Sequence, residues 1–137
     1  MRVFMQFFAQ KGVYVKSILQ EELKMPKRRC FEIDIIESFN FRRLSKDAKI
    51  LYFLLISHAD DEGVVTNPDI ALIISDTDEN VINELIHTEF LLKVEDMLVI
   101  KHWHRHNKIQ PSKVVPSVYK NELSHLHLNS RKEYEFL

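Results

Sequence analysis

The sequence is poor in cysteine and glycine, with one cysteine and two glycines among 137 residues. Cys30 alone can form neither an internal disulfide nor a cysteine-rich zinc site. Gly12 and Gly63 lie too far apart to build a glycine-rich phosphate loop, and no serine, cysteine or lysine stands in a recognisable nucleophile motif. We therefore predict a protein that is not an enzyme and that uses no cofactor and no small-molecule substrate. A lone cysteine fits a reducing cytoplasm, which is the predicted location.

Long hydrophobic runs are also missing. Residues 3–9 (VFMQFFA) are apolar, but a membrane-spanning helix needs about 20 such residues. No small-residue cleavage site follows, which disfavours a secretory signal peptide. Residues 20–22 (QEE) can be encoded by a purine-rich run resembling a bacterial ribosome-binding site, a few codons before Met25. We expect residues 1–24 to be a leader extension outside the fold, and we expect no membrane partner.

The net charge is −1 and predicts no partner by itself, but the charges are unevenly distributed. Residues 60–99 hold eleven acids against Lys93 alone, whereas residues 101–120 hold five bases and no acid. Such asymmetry is typical of a protein that meets a polyanion on one face and something else on another. Two ordinary solvated surfaces would produce the same pattern, so both interpretations stay open.

One central helix is predicted in the first half of the chain. Ser45 is a good N-cap, and Asp47 suits the first turn of a helix. Residues 48–57 (AKILYFLLIS) are apolar nearly all round, which predicts a helix at the centre of the core. Upstream, residues 30–41 (CFEIDIIESFNF) alternate poorly and fit either a short strand or a first helix. Residues 64–66 (VVT) are β-branched and predict a small strand that pairs with a later hairpin.

Two more helices and a hairpin follow. Asn67-Pro68 and residues 75–78 are typical of helix starts. Two strand-like runs, residues 90–94 and 98–100, flank a short acidic gap, which predicts a β-hairpin. The order of helix, strand, helix, helix and hairpin indicates an α+β fold, mainly α: a winged helix, the helix-turn-helix variant with a small β-hairpin wing.

The domain boundaries follow from these elements. A short closing helix fits residues 119–128, and residues 129–137 show no periodicity. The predicted organisation is residues 1–24 as the leader, residues 25–110 as the winged-helix domain, and residues 111–137 as a basic arm and C-terminal tail.

Three histidines alternate along the segment that follows the hairpin. On a strand, His102, His104 and His106 would share one face and resemble a metal site. No cysteine or acid lies in the same segment to complete such a site, so we predict no metal. We expect the imidazoles to face solvent or phosphate, with Trp103 turned into the core or toward a partner.

The base-rich segment, residues 101–120, is the predicted contact with DNA, expected to be duplex. Lysine and arginine would bind phosphates, while Asn107 would reach a base edge or a sugar. Charging of the histidines would tighten binding as the pH falls through about 6.5. The predicted nucleic-acid-binding residues are Lys101, His104, Arg105, Asn107, Lys108, Lys113 and Lys120.

The helix that usually enters the major groove of DNA would span roughly residues 78–88 here. It carries Asp78, Glu79 and Glu84 and no lysine or arginine. Carboxylates near phosphates are repelled, so we predict that this helix does not make the main DNA contact and that it faces protein instead.

A series of short motifs between about residues 25 and 123 resembles a known family. The motifs are Phe31 after an arginine-rich start, Leu51-Tyr52, Ala59-Asp60-Asp61-Glu62-Gly63, Asn67-Pro68, Ile100-Lys101-His102-Trp103, His106-Asn107, Ile109, and Tyr119 with Glu122. In this order and spacing they are similar to the N-terminal domain of phage replisome-organiser proteins, relatives of the DnaD-like primosomal proteins.

This resemblance implies a winged-helix domain that binds DNA or self-associates while a phage or prophage origin is loaded for replication. The alternative is a winged-helix module that oligomerises or docks on helicase-loading proteins of the primosome without touching DNA. A transcriptional regulator is a third, weaker interpretation.

Overall fold

The computed structural model describes residues 28–137, so the predicted leader, residues 1–24, lies outside the described part of the chain. Residues 28–137 form a small domain of mixed helix and antiparallel sheet. Within this range no helix has the length and apolar character needed to cross a membrane. The elements are α1 (Ile33–Ile36), α2 (Phe39–Arg42), α3 (Lys46–Ser57), β1 (Val64–Val65), α4 (Pro68–Ser75), α5 (Glu79–His87), β2 (Leu91–Val94), β3 (Met97–Ile100), α6 (Trp103–His106), a 3-10 turn (Pro111–Lys113), α7 (Lys120–Leu123), β4 (Leu126–Leu128) and β5 (Tyr134–Phe136).

Helix α3 lies at the centre of the core, which confirms the prediction from its apolar sequence. Ser45 caps the helix, since its hydroxyl accepts a hydrogen bond from the Ala48 backbone N–H at 3.1 Å. Leu51, Tyr52 and Leu55 are completely buried. Helices α4 and α5 both pack against α3. The sequence was compatible with either a strand or a helix in the segment before α3. This segment forms the two one-turn helices α1 and α2.

The two predicted helix starts after β1 are confirmed, with one difference in capping. Pro68 occupies the first turn of α4, but the side chain of Asn67 makes no capping hydrogen bond. Asp76 follows α4 in the left-handed conformation, with φ of 54°. Asp78 then caps α5 by accepting a hydrogen bond from the Asn80 N–H at 2.9 Å. An acid is favourable there because it faces the positive end of the helix dipole.

Strands β1, β2 and β3 form an antiparallel sheet in the order β1-β3-β2. Val64 pairs with Val99, so β1 joins the hairpin as the sequence predicts. Between β2 and β3 the chain turns through Glu95 and Asp96, and Glu95 takes a positive φ of 54°. Two carboxylates therefore stand at the tip of this hairpin.

The C-terminal segment packs on the domain and does not extend from it as an arm and tail. Leu126 and Tyr134 belong to the hydrophobic core. The Val115 N–H donates to Asp61 Oδ2 at 2.9 Å, and the Tyr134 N–H donates to the Lys101 carbonyl at 3.0 Å. Strands β4 and β5 pair into a second hairpin. Each of these strands has only three residues, too few to show a periodic pattern in the sequence.

Candidate nucleic-acid interface

The alternating histidines do not lie on a strand. Residues 103–106 form the single helical turn α6, and His102 is its N-cap. Successive side chains on a helix point about 100° apart, so His104 projects away from the side on which His102 and His106 lie, and the three imidazoles do not share one face. Across residues 28–137 no group of three or more potential metal-ligating side chains comes together.

Trp103 is completely buried. Of the two placements expected for it, in the core or toward a partner, the structure shows the first. Its indole Nε1–H donates a hydrogen bond to the Asp61 carbonyl at 2.9 Å. Gly63 lies close to the Trp103 side chain with φ of +92°, and a Cβ built there would fall 2.6 Å from the Trp103 Cγ. Only glycine fits this position, because a side chain would clash with the ring and would be strained at that φ.

A buried ion pair also lies against Trp103. The Arg29 guanidinium lies 5.1 Å from the ring centroid and donates to Asp61 Oδ1 at 2.9 Å and to the Ala59 carbonyl at 3.0 Å. The side chains of Arg29 and Asp61 are only 8% and 1% exposed. Arg29 therefore holds the segment before α1 against the loop between α3 and β1.

His106 is buried and bonded at both ring nitrogens, contrary to the expectation that it faces solvent or phosphate. Its Nδ1 accepts a hydrogen bond from the Glu32 N–H at 2.8 Å, and its Nε2 lies 2.7 Å from the Tyr52 hydroxyl. An imidazole that accepts at Nδ1 is neutral, with its proton on Nε2. Burial, then the nearby charges of His102 and Arg105, lower the pKa of His106 to about 4.

Asn107 is also buried, so its side chain does not reach a base edge or a sugar. Its Oδ1 accepts a hydrogen bond from the Cys30 backbone N–H at 2.8 Å. His106 and Asn107 together hold residues 30–32 against α6. The histidine- and tryptophan-rich motif therefore has mainly a structural role. Its buried residues and the Arg29–Asp61 ion pair form one group of internal contacts, which we call the α6 lock: Arg29, Asp61, Trp103, His106 and Asn107.

Two further contacts connect α6 to the second hairpin. His102 Nδ1 and Arg105 Nη1 lie 2.8 Å and 3.2 Å from Glu133 Oε2. Burial would raise the pKa of Glu133, but the charge of His102 and the hydrogen bond from Arg105 lower it overall. For His102 the balance is reversed: burial lowers its pKa more than Glu133 raises it.

His104 meets the same hairpin through Tyr134. The Tyr134 hydroxyl donates its one proton to the Glu62 carbonyl at 2.7 Å, so at His104 it acts as acceptor for the Nε2–H, at 2.9 Å. Burial lowers the pKa of His104 and raises that of Tyr134. Since the pKa values of His102 and His106 are also lowered, these three imidazoles do not supply the charge near pH 6.5 that the predicted pH dependence of DNA binding requires.

A cationic cleft of about 240 Å³ opens between α6 and the turn of the second hairpin. Four of its lining residues are lysine or arginine, and one is an acid. Lys108, Arg131 and Lys132 are exposed, and none of them has an ion-pair partner within residues 28–137. The lining residues are Glu32, His104, Arg105, Lys108, Ser130, Arg131 and Lys132.

A second cleft of about 350 Å³ adjoins the first and shares Arg105 and Arg131 with it. Its lining mixes both signs of charge with neutral polar groups, and we call it the mixed cleft. The other lining residues are Asp34, Ile35, Ser38, Asn40, Thr88, Glu89, Phe90, Lys101, His102 and Glu133.

The seven predicted nucleic-acid-binding residues are distributed over different environments. His104, Arg105 and Lys108 come together in the cationic cleft, and Lys101 lines the mixed cleft. Asn107 belongs to the α6 lock. Lys113 and Lys120 are exposed but line neither cleft.

Arg131 and Lys132 are the basic cleft residues that the sequence did not indicate. They lie in the β4–β5 turn, which Asn129 organises: its Oδ1 accepts hydrogen bonds from the Arg131 N–H at 2.8 Å and the Glu133 N–H at 3.0 Å. Lys132 takes a positive φ of 61°. The available signal was the local series Asn129-Ser130-Arg131-Lys132, since asparagine often closes a turn on its own backbone.

Helix α5 presents acids, and one of them has a structural role. Glu84 accepts hydrogen bonds from the Ser45 N–H at 2.8 Å and from the Ser45 hydroxyl at 2.7 Å. This carboxylate thereby joins α5 to the N-terminus of α3. Glu79 is exposed in the first turn of α5.

The chain matches no protein-family model, no curated protein and no solved structure.

Proposed function

We propose that this chain is a winged-helix domain that binds DNA through the cationic cleft, as part of a phage-type replication initiator. The order α3, β1, α4, α5, β2, β3, with β3 between the other two strands, supports the winged-helix assignment. The resemblance of the short motifs to replisome organisers supports the role in replication.

The observation that carries DNA binding is the group of unpaired cations around one cleft. Lys108, Arg131 and Lys132 have no carboxylate partner within the described range, whereas Arg105 is partly neutralised by Glu133. Unpaired, exposed cations are available to replace the counterions of a phosphate backbone. Three such contacts on duplex DNA predict a slope of about −2.7 for the logarithm of the binding constant against the logarithm of salt concentration.

DNA meets this domain through α6 and the second hairpin in this proposal. The usual winged-helix contacts are unfavourable here, because the helix α5 carries Glu79 and Glu84 and the tip of the first hairpin carries Glu95 and Asp96. Phosphates approaching either element would be repelled.

Binding of a fluorescent duplex to the full chain, titrated across a salt series, tests the proposal. Replacing Lys108, Arg131 and Lys132 together by alanine should abolish most of the affinity and flatten the salt dependence. The matched control replaces Lys113 and Lys120, which are exposed lysines outside both clefts, and should keep most of the affinity. If the cleft variant is folded and binds like the wild type, DNA binding by this cleft is refuted.

A protein-interaction module without DNA contact is the second candidate, and one observation favours it. Ile73 and Ile74 on α4 are 61% and 55% exposed, although large aliphatic side chains are usually buried. Such adjacent side chains fit a contact with another copy or with a helicase-loading protein. Sedimentation of the wild type and of an Ile73→Ser, Ile74→Ser variant tests it: self-association that the variant loses supports this candidate, and an unchanged sedimentation coefficient contradicts the self-association form.

A further inference from the structure

The two clefts form one continuous site because Arg105 and Arg131 line both of them. Arg105 is held through its side chain, whereas Arg131 is fixed only at its backbone. Arg105 contacts Glu133 at 3.2 Å, and the backbone at Arg131 is fixed by the side chain of Asn129. A guanidinium held in advance, as that of Arg105 is, loses less conformational freedom when it binds a phosphate.

The chemistry changes from one end of the site to the other. The cationic cleft has a single carboxylate, Glu32, among four lysines and arginines. The mixed cleft adds Asp34 and Glu89 together with the amide of Asn40, all exposed. A phosphate is favoured at the first end, whereas at the second end three carboxylates (Asp34, Glu89 and Glu133) offset the charges of Lys101, Arg105 and Arg131. Carboxylates and an amide oxygen suit N–H donors.

A nucleotide has this same division, with an anionic phosphate and a base edge that carries N–H donors. In duplex DNA the Watson–Crick donors are occupied, so a base enters a cleft only from a single strand or after being flipped out. Cytosine, adenine and guanine carry an exocyclic amino group on that edge, and thymine does not. The mixed cleft therefore fits unpaired bases that have an amino group.

We infer that the paired clefts bind single-stranded DNA, with a phosphate in the cationic cleft and the base of a neighbouring nucleotide in the mixed cleft, and with a preference for amino-bearing bases. This inference rests on the DNA-binding function proposed above. It specifies the form of DNA and the selectivity of the site. Arg131, at the boundary between the clefts, serves both ends.

The experiment measures binding of the full chain to three fluorescent probes at neutral pH: an oligo-dC, an oligo-dT of equal length, and a hairpin duplex. Oligo-dC should bind roughly tenfold more tightly than oligo-dT, the size of one charge-assisted hydrogen bond. Arg131→Ala should weaken binding to both single strands and reduce the salt slope by about 0.7 for each phosphate that the variant no longer binds.

Asn40→Ala gives the more specific test, because it changes no charge. It should reduce the preference for oligo-dC over oligo-dT severalfold, and the matched change at the exposed Asn121 of α7 should leave that preference intact. Equal affinities for the two single strands, or an Asn40→Ala variant with the wild-type ratio, would overturn the inference.

The outcomes also separate this inference from the proposed function. Tight duplex binding that depends on Arg131, without any preference for single strands, overturns the inference and leaves the proposed function standing. No binding to any of the three probes overturns both.

Discussion

The most informative single perturbation is the removal of the titrating group at position 106. His106 is 4% exposed and accepts the Glu32 N–H at its Nδ1, so protonation would both charge a buried ring and eliminate a hydrogen bond. We expect His106→Gln to make the domain less sensitive to acid, although the substitution itself lowers stability at neutral pH by disturbing the contact with Tyr52.

The size of this effect follows from the two pKa values. The ordinary pKa of histidine is 6.5, and burial, followed by the charges of His102 and Arg105, lowers that of His106 to about 4 in the folded state. Between these values the unfolded chain binds a proton that the folded chain does not, so stability rises with pH. The contribution is complete above about pH 6.5 and is lost as the pH falls toward 4, about 3 kcal/mol in all.

Urea unfolding of the wild type and of His106→Gln at pH 7 and pH 4.5 measures this contribution. The loss of unfolding free energy between the two pH values should be about 2–3 kcal/mol smaller in the variant, because the contribution of His106 is gone. Some loss remains in the variant, since burial also lowers the pKa values of His102 and His104. The control His127→Gln changes an exposed histidine on β4 and should keep the wild-type loss. An equal loss in the wild type and in His106→Gln would refute the neutral, buried state of His106.

Three further substitutions test the α6 lock and its surroundings. Gly63→Ala should lower the unfolding free energy by about 2–4 kcal/mol, since the new Cβ strains the backbone and overlaps Trp103. Arg29→Ala should cost about 3–5 kcal/mol because it leaves the Asp61 carboxylate buried with only one hydrogen-bond donor. Glu84→Ala should cost about 1 kcal/mol by freeing the N-terminus of α3 and should not weaken DNA binding. Thermal and urea unfolding measure all three changes, and a DNA titration completes the last.

Matched controls exist for two of these changes. Arg28→Ala alters an exposed neighbour of Arg29, and Glu79→Ala alters an exposed acid on the same helix as Glu84. Both should leave stability within about 0.5 kcal/mol of the wild type. Equal stability of Arg28→Ala and Arg29→Ala would contradict the lock, and loss of DNA binding in either Glu79→Ala or Glu84→Ala would contradict the placement of DNA away from α5.

The helices and the first hairpin were predictable because their signals are local. Ser45 caps α3, residues 48–57 fill one helix with apolar side chains, and the acidic gap before β3 marks a turn. Pairing of β1 with β3 was also predictable, since a two-residue strand in a helical chain needs a partner. In each case a few adjacent residues carried the information.

The environment of the candidate site was less predictable because it depends on long-range contacts. His106 and Asn107 read as exposed binding residues, but each accepts a backbone N–H from a segment more than 70 residues away. Arg131 and Lys132 read as part of an aperiodic tail, and the β4–β5 pairing brings them to α6. Neither fact follows from composition or periodicity.

The most direct test of where DNA binds is a backbone-amide NMR titration of the full chain with a short oligonucleotide. We expect the largest shifts on residues 104–108 and 130–132, with smaller ones at residues 34–40 and little change along α5. Shifts concentrated on residues 79–87 and on the β2–β3 turn, with residues 130–132 unaffected, would contradict DNA binding at the paired clefts.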